Sequence, residues 1–359
     1  MRDVRVTVLG TAQDGGVPQP GCMGECCERI RQNDALRRLP VSLGIVGADG
    51  STHLIEVSRH LGEQLEIWRS VDQMSGPPES VSLTHYHLGH CDGLRLFGKE
   101  AMNTKGIPVY CGMMKPDWIY RMGSEGYIEL RHYWNADMAK RVRPANAWTA
   151  RLEKLGMEGD TDETPIVQPS TMDHGLGYSP TPECGFTIHP HWVPHRGNTP
   201  NMGCDGGGAC YALLIETGDK NLLFMPDHDS WLETLDKKHT GPLSPRQIIE
   251  QKIDQNDVLS GQSIRDWLGG MNVDIALIDG TFWDQYELKN RDMAKVPHPT
   301  VRESLDLLGP KQEGDPDIRF FHLNHTNPLC NPDSPELAEL TSMGWGLVKE
   351  GDSFTLERL

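Results

Sequence analysis

Three histidines, His85, His87 and His90, fall within six positions in the run Ser82-Leu83-Thr84-His85-Tyr86-His87-Leu88-Gly89-His90-Cys91-Asp92-Gly93-Leu94. Imidazole nitrogen at that density suits a divalent cation of intermediate softness. On extended backbone, side chains two apart face the same way, so His85 and His87 can grip one ion, while His90, beyond a turn, can reach a neighbouring one. A single loop histidine would carry no such meaning; three between an apolar strand and a helix pattern do. Further histidines stand at His189, His191, His195 and His228, several beside Asp or Gly. A thiol cluster, Cys22, Cys26 and Cys27, follows a glycine-rich stretch near the start of the chain. A tetrahedral site needs four ligands, and Cys330 is the best distant candidate for the fourth. Adjacent cysteines seldom share one ion comfortably, so plain loop cysteines are the alternative. Cys204 and Cys210 flank Gly206-Gly207-Gly208, a loop without the spacing and lysine that phosphate binding requires.

These residues must be positioned by a sheet. Val4, Val6 and Val8 alternate with Arg5 and Thr7 and stop at Gly10, which reads as a strand entering a loop. Similar strands are expected at Leu43–Ile45, Leu54–Val57, Val81–Leu83, Val109–Cys111, Phe186–Ile188, Tyr211–Ile215, Leu222–Met225, Ile275–Ile278 and Phe320–Leu323. Turns at Asp49-Gly50, Gly218-Asp219 and Gly351-Asp352 read as hairpins, so the sheets should be mixed or antiparallel. Helix patterns lie at Cys26–Arg38, His60–Val71, Leu94–Glu100, Ser230–Lys237, Pro245–Ile253, Ser263–Leu268, Thr300–Leu308 and Pro335–Ser342. Single helices between strands predict a layered α/β fold, helices outside two packed sheets, in one domain over residues 1–359. Residues 113–169 are less regular, with Trp118, Trp134 and Trp148, and read as an inserted lid or as buried packing tryptophans.

Composition narrows the function. Lys and Arg number 34 against 51 Asp and Glu, a net charge of −17, which disfavours a polyphosphate partner such as nucleic acid. No apolar run approaches the ~18–20 residues of a membrane helix, and the N-terminus shows no signal-peptide core, so a cytoplasmic protein is expected. Nine cysteines, odd in number and unevenly spaced, fit reduced thiols better than a disulfide framework.

The histidine run resembles the signature of the metallo-β-lactamase fold superfamily, H-x-H-x-D-H with Gly-Leu shortly after. Here it reads His85-x-His87-x-Gly89-His90-x-x-Gly93-Leu94, with Gly89 in the aspartate's place. Within that superfamily the chain resembles the pyrroloquinoline-quinone synthesis protein B group along nearly its whole length. The resemblance is carried by Leu9-Gly10-Thr11-Ala12 with Gly15-Gly16-Val17-Pro18-Gln19, by Val193-Pro194-His195-Arg196, by Asp279-Gly280-Thr281-Phe282-Trp283 and by Leu323-Asn324-His325-Thr326-Asn327-Pro328. Members of the quinone group typically lack the first two histidines and keep the aspartate, the reverse of this chain.

The resemblance implies an αββα sandwich of two mixed sheets flanked by helices. It makes His85, His87 and His195 the first metal site, Asp227 the bridging carboxylate, and His90, Asp227 and His325 the second site, one ligand short. Asp227 could instead be a turn former, with Asp229 or His228 in its role; His322 is a rival to His325. The group's structural zinc knuckle, C-x-C-x-x-C, matches Cys22 and Cys27, with Gly24 at the middle position and Cys26 as an extra thiol. His298, in Pro297-His298-Pro299-Thr300, matches a His-x-Thr that assists the leaving group in related hydrolases, a task suited to a titrating imidazole. His174 and His191 are left as structural or ligand-supporting residues.

The expected function is that of a metallo-hydrolase: one or two ions, zinc first and Fe²⁺ or Mn²⁺ also suited, lower the pKa of water toward ~7 and polarise the target oxygen of a small ester, lactone, amide or phosphoester. A ferrous redox step in cofactor biosynthesis and a non-catalytic ligand carrier are the alternatives. A homo-oligomer is compatible with the sequence.

Overall fold

The computed structural model describes residues 3–72, 74, 76–98, 100–112, 167–172, 175–195, 210–235, 262–288, 296 and 298–356. The expected lid (apart from its last residues), its three tryptophans, the helix pattern at 245–253, His174 and the Gly206–Gly208 loop lie outside these residues. Two sheets form the centre. The first contains Val4–Gly10 (β1), Ser42–Val46 (β2), Thr52–Ile55 (β3), Ser80–Ser82 (β4), Ile107–Cys111 (β5), Val167–Thr171 (β6) and Ser353–Leu356 (β13), in the order β13-β1-β2-β3-β4-β5-β6. The second contains Thr187–Val193 (β7), Cys210–Glu216 (β8), Asn221–Met225 (β9), Ile275–Asp279 (β10), Asp317–Phe321 (β11) and Gly346–Leu347 (β12), in the order β12-β11-β10-β9-β8-β7. Each sheet is mixed. Pairs β1–β2, β2–β3, β7–β8 and β8–β9 are antiparallel, whereas β3 through β6 and β9 through β12 run parallel.

Period-two alternation sorts side chains into three cores. Val4, Val6, Val8, Leu43 and Ile45 from the first sheet meet Leu213, Ile215, Phe224 and Leu277 from the second between the sheets. On the outer face of the first sheet, Leu54, Val81 and Val109 pack with Trp68 of helix Leu61–Asp72 (α2). On the outer face of the second, Leu223, Met225, Ala276 and Ile278 pack with Trp231, Leu268 and Leu305. Those three come from helices Trp231–Thr234 (α4), Ile264–Gly270 (α5) and Val301–Leu308 (α6). The result is the expected four-layer αββα sandwich. Among the described residues no helix is long and apolar enough to cross a membrane.

Local chemistry sets the boundaries. Ser263 and Asp266 close a capping box on α5, and Ser334 caps Pro335–Ser342 (α7). The expected helix Cys26–Arg38 is shorter, Glu25–Gln32 (α1), because the Asn33 side chain accepts from Ala35 N and opens a separate 3₁₀ turn, Asp34–Leu36. The expected helix Leu94–Glu100 is 3₁₀ over Asp92–Phe97. Gly351-Asp352 does not make a hairpin: β12 pairs with β11 and β13 with β1, so this turn carries the chain from one sheet to the other. After β1, residues 11–13 run beside the exit of β11, where Leu323 N donates to Thr11 O and Gln13 N donates to Leu323 O, each at 3.0 Å.

Candidate metal centre

Strands β4, β7, β9, β10 and β11 deliver their C-terminal ends to one rim, the usual place for a ligand site in a sheet with parallel strands. His85 and His87 lie on the loop after β4, and His90 sits in the short helix Leu88–Cys91 (α3). His195 lies two residues beyond β7 and Asp227 two beyond β9; Asp279 ends β10, and His322 directly follows β11. Parallel pairing of Ile278 with Met225 and of Asp279 with Phe321 brings Asp227, Asp279 and His322 level. His85, His90, His195, Asp227, Asp279, His298 and His322 are all buried.

Three imidazole nitrogens converge. His87 Nδ1 is 2.9 Å from His85 Nε2 and 3.0 Å from His195 Nε2. A tetrahedron with bonds of about 2.0–2.1 Å has edges of about 3.3 Å, close to this spacing. Two of these imidazoles have a partner on the other nitrogen: His85 Nδ1 lies 3.0 Å from Thr84 Oγ1, and His195 Nδ1 is 2.8 Å from Asp229 Oδ1. Asp229 therefore orients His195 rather than replacing Asp227. On the far side of Asp227, its Oδ2 lies 3.0 Å from His90 Nε2 and 3.3 Å from His322 Nε2. Its Oδ1 lies 3.8 Å from both His195 Nε2 and His298 Nε2. Asp14 Oδ1 comes within 3.3 Å of His90 Nε2.

Electrostatics and satisfaction both fit a cation. Burial, then the neighbouring His90 and His87, hold His85 well below the usual imidazole pKa; burial and His195 push His87 down to about 3. Both are kept as neutral imidazoles, the ligating form. Burial raises Asp227, yet His322 and His90 outweigh it and hold the carboxylate well below its ordinary value. Asp227 Oδ2, His90 Nε2 and His322 Nε2 are buried without a hydrogen bond of good geometry, although they are neighbours. Buried polar atoms aimed at a common point are costly unless an ion satisfies them. Two residues here hold left-handed backbone, Glu56 with φ 62° and His322 with φ 59°, a strain of the sort kept at functional sites. Glu56 accepts from Thr84 N at 2.9 Å and lies 3.5 Å from His90 Nδ1, so it orients His90.

Two ligand expectations are corrected, His325 in the second site and Cys330 in the cysteine cluster. His325 does not join His90 and Asp227; its Nδ1 lies 3.5 Å from Cys26 Sγ and 3.4 Å from Cys27 Sγ. The imidazole beside Asp227 is His322, because the chain turns away after β11 and carries His325 to the cysteines. Cys22, Cys26, Cys27 and His325 gather their donor atoms within 4.8 Å of one another, and Cys22 and Cys26 sulfurs are 3.8 Å apart. Zinc–sulfur bonds of about 2.3 Å give tetrahedral edges of about 3.8 Å. Backbone N–H groups of Gln19 and Gly24 donate to Cys27 and Cys22 sulfurs. Cys330 is not the fourth member: its thiol is directed to Asn324 O at 3.6 Å.

Asp14 and Asp279 were missed by sequence reasoning. Asp279 Oδ2 lies 2.8 Å from His298 Nδ1 and its Oδ1 accepts from Thr281. The rule applied to Asp227, an acid at the end of an apolar strand, points equally to Asp279 after Ile275–Ile278. Among the remaining histidines, His189 lies 2.8 Å from Glu216, and His228 packs edge-on against Trp231.

Four layers with a histidine-rich rim at the strand ends define a metallo-β-lactamase-fold protein, and known structures agree. Zinc-bound PqqB from Methylobacterium extorquens matches with TM-score 0.60 at 18% identity, over 98% of this chain and 100% of that one. YhfI from Bacillus subtilis, a metallo-β-lactamase fold protein, matches with TM-score 0.50 at 15% identity, over 98% and 99%. No family model matches the chain. Among curated relatives, coenzyme PQQ synthesis protein B of Pseudomonas syringae pv. tomato is 34% identical over 98% of this chain and 99% of its own length. The Methylococcus capsulatus counterpart is 24% identical over 96% and 98%. The chain belongs to the coenzyme PQQ synthesis protein B family.

Proposed function

We infer that the protein is a metal-dependent hydrolase of a small-molecule ester, lactone, amide or phosphoester. The observation that supports this most strongly is the pairing of two donor groups across Asp227: His85 Nε2 and His195 Nε2, each within about 3 Å of His87 Nδ1, on one side, and His90 with His322 on the other. His85, His87 and His195 would hold a first ion, His90 and His322 a second, with Asp227 between them. A divalent cation so held supplies Lewis acidity, polarising the scissile group and bringing deprotonation of water toward about pH 7. Zinc suits this donor set best, with Fe²⁺ or Mn²⁺ as further candidates.

The chain's own residues supply the proton handling. His298 Nδ1–H donates to Asp279 Oδ2 at 2.8 Å, which leaves Nε2 facing the site beside Asp227. Protonated at Nε2, this imidazole can give a proton to the leaving group, while the buried Asp279 carboxylate stabilises its charge. Burial raises Asp279, but His298 overrides that and keeps it ionised. Asp279 is thus a positioning residue and His298 the candidate acid. A net charge of −17 favours a small substrate over nucleic acid. The proposed setting is the cytoplasm, where the described cysteines, none of them in a disulfide, stay reduced.

The test is turnover of ester, lactone and phosphodiester panels by zinc-loaded protein. Hydrolysis lost in His85→Ala and reduced in His298→Ala supports the reading; metal-replete protein inert on every panel contradicts it and leaves a ligand carrier. Family membership favours one second reading, a ferrous oxidation in quinone-cofactor synthesis, whose mark would be activity that requires iron and dioxygen and fails anaerobically.

A further inference from the structure

Gly89 stands where the superfamily signature has aspartate, and its own backbone does not explain the glycine. It lies inside α3, where glycine is a destabilising choice relative to alanine, and it is absent from the positive-φ residues. A neighbour excludes the side chain instead. A Cβ built on Gly89 would fall 2.5 Å from Asp14 Cβ and closer still to the Asp14 carboxylate. Asp14 therefore fills the volume that a residue-89 side chain would take. Its turn is closed by Gly16 N donating to Gln13 O at 2.8 Å, and it is fastened beside His322 by Gln13 N donating to Leu323 O at 3.0 Å. Asp14, His90 and His322 each offer a ligand atom within 4.8 Å of the others, and His90 and His322 Nε2 are buried without hydrogen-bond partners.

We propose that Asp14 is the missing carboxylate of the second metal site, relocated from the helical turn to the N-terminal loop, and that Gly89 provides the space it occupies. The second donor set is then Asp14, His90, His322 and the shared Asp227, complete despite the altered signature. This rests on the metal reading above. The relocation also moves a ligand from a buried helix to a half-exposed loop, since 41% of the Asp14 side chain remains accessible.

The test counts ions and their affinities without reference to turnover. Wild type, Asp14→Asn, Gly89→Asp and the double variant Asp14→Gly/Gly89→Asp are loaded with Zn²⁺ alone, analysed for zinc per chain and titrated with a chelator. The expected result is one fewer tightly held ion in Asp14→Asn, a loss in affinity at least as large as the roughly 10–100-fold that removal of an outer-shell partner costs. The double variant should regain that ion, while Gly89→Asp alone, with two carboxylates in one volume, should not bind as wild type does. Unchanged stoichiometry and affinity in Asp14→Asn overturn the proposal, as does a folded double variant that keeps the first ion but not the second. If wild type binds no zinc at the histidines, the metal reading and this proposal fall together; if it binds one ion there and Asp14→Asn does the same, only the relocation fails.

Discussion

At the scale of single residues, the chemistry depends on which nitrogen of each imidazole faces the site. Asp229, Thr84 and Asp279 engage Nδ1 of His195, His85 and His298, so Nε2 of each turns inward. Asp279→Asn should therefore lower kcat by about 10–100-fold with KM little changed, and should alter the limb of the pH–rate profile that reports the acid. Equal losses in kcat and zinc content would instead make Asp279 a ligand. Away from the site, His53 is buried between Ser51 and Ser80, its nitrogens 2.7 and 2.8 Å from their hydroxyls. Burial pushes it down to about 4, Asp49 only partly opposing. Its folded pKa lies below the unfolded value near 6.5, so the unfolded chain takes up the proton first. Stability is full above about pH 6.5 and falls toward pH 4, by about 3 kcal/mol from this residue. Denaturant unfolding of wild type and His53→Gln across that window should show a shallower decline in the variant; parallel declines would contradict it. His85 and His87 were legible because identical residue types at strand spacing stand out in one stretch, whereas His195, from a distant loop, was reached only through the family resemblance. Asp14 was not, because its partner in space is a glycine, and an absent side chain leaves no trace in a linear pattern. His322 and His325 look alike in sequence; only the left-handed turn at His322 sends one to each cluster.

At the scale of elements, a few close backbone approaches hold α3 and its 3₁₀ extension to the sheet. Val57 N donates to His90 O at 2.8 Å and Gly93 N to Val57 O at 2.9 Å. A Cβ on Gly93 would lie 2.7 Å from the carbonyl carbon of Ser58 and closer to its oxygen. Gly93→Ala should cost about 1–3 kcal/mol and displace His90, seen as lower Tm together with weaker binding of the second ion; an unshifted Tm would show that the segment has room. The cysteine cluster joins α1 to the loop after β11 in the same way. Cys27→Ala or His325→Ala should lose about one zinc per chain and lower Tm while the first-site ion remains; full zinc content in both would leave these residues as plain loop contacts. Strands with clean alternation were read correctly because one face is buried between the sheets. The chain's change of sheet at Gly351-Asp352 was hidden, since a turn between two strands does not reveal whether they pair with each other.

At the scale of the whole molecule, the centre is shared between the two sheets. The first contributes His85, His87 and His90; the second contributes His195, Asp227, Asp279 and His322. Neither half has a complete donor set, so an ion should couple them. Free zinc at 100 times its Kd would add about 2.7 kcal/mol to stability, and removal by a chelator should lower Tm reversibly. A melting curve indifferent to chelator would contradict that coupling. The layered fold was legible from the order of strands and helices, and the superfamily from its loop motifs. How strand ends converge was not, because it depends on sheet order and on parallel register between distant segments. The central claim is that imidazoles from both sheets and Asp227 enclose a cation. Anomalous diffraction at the zinc edge from crystals of zinc-loaded protein tests it most directly. A peak bounded by His85, His87 and His195 is the predicted result; zinc-replete crystals with no peak among those three rings would contradict it.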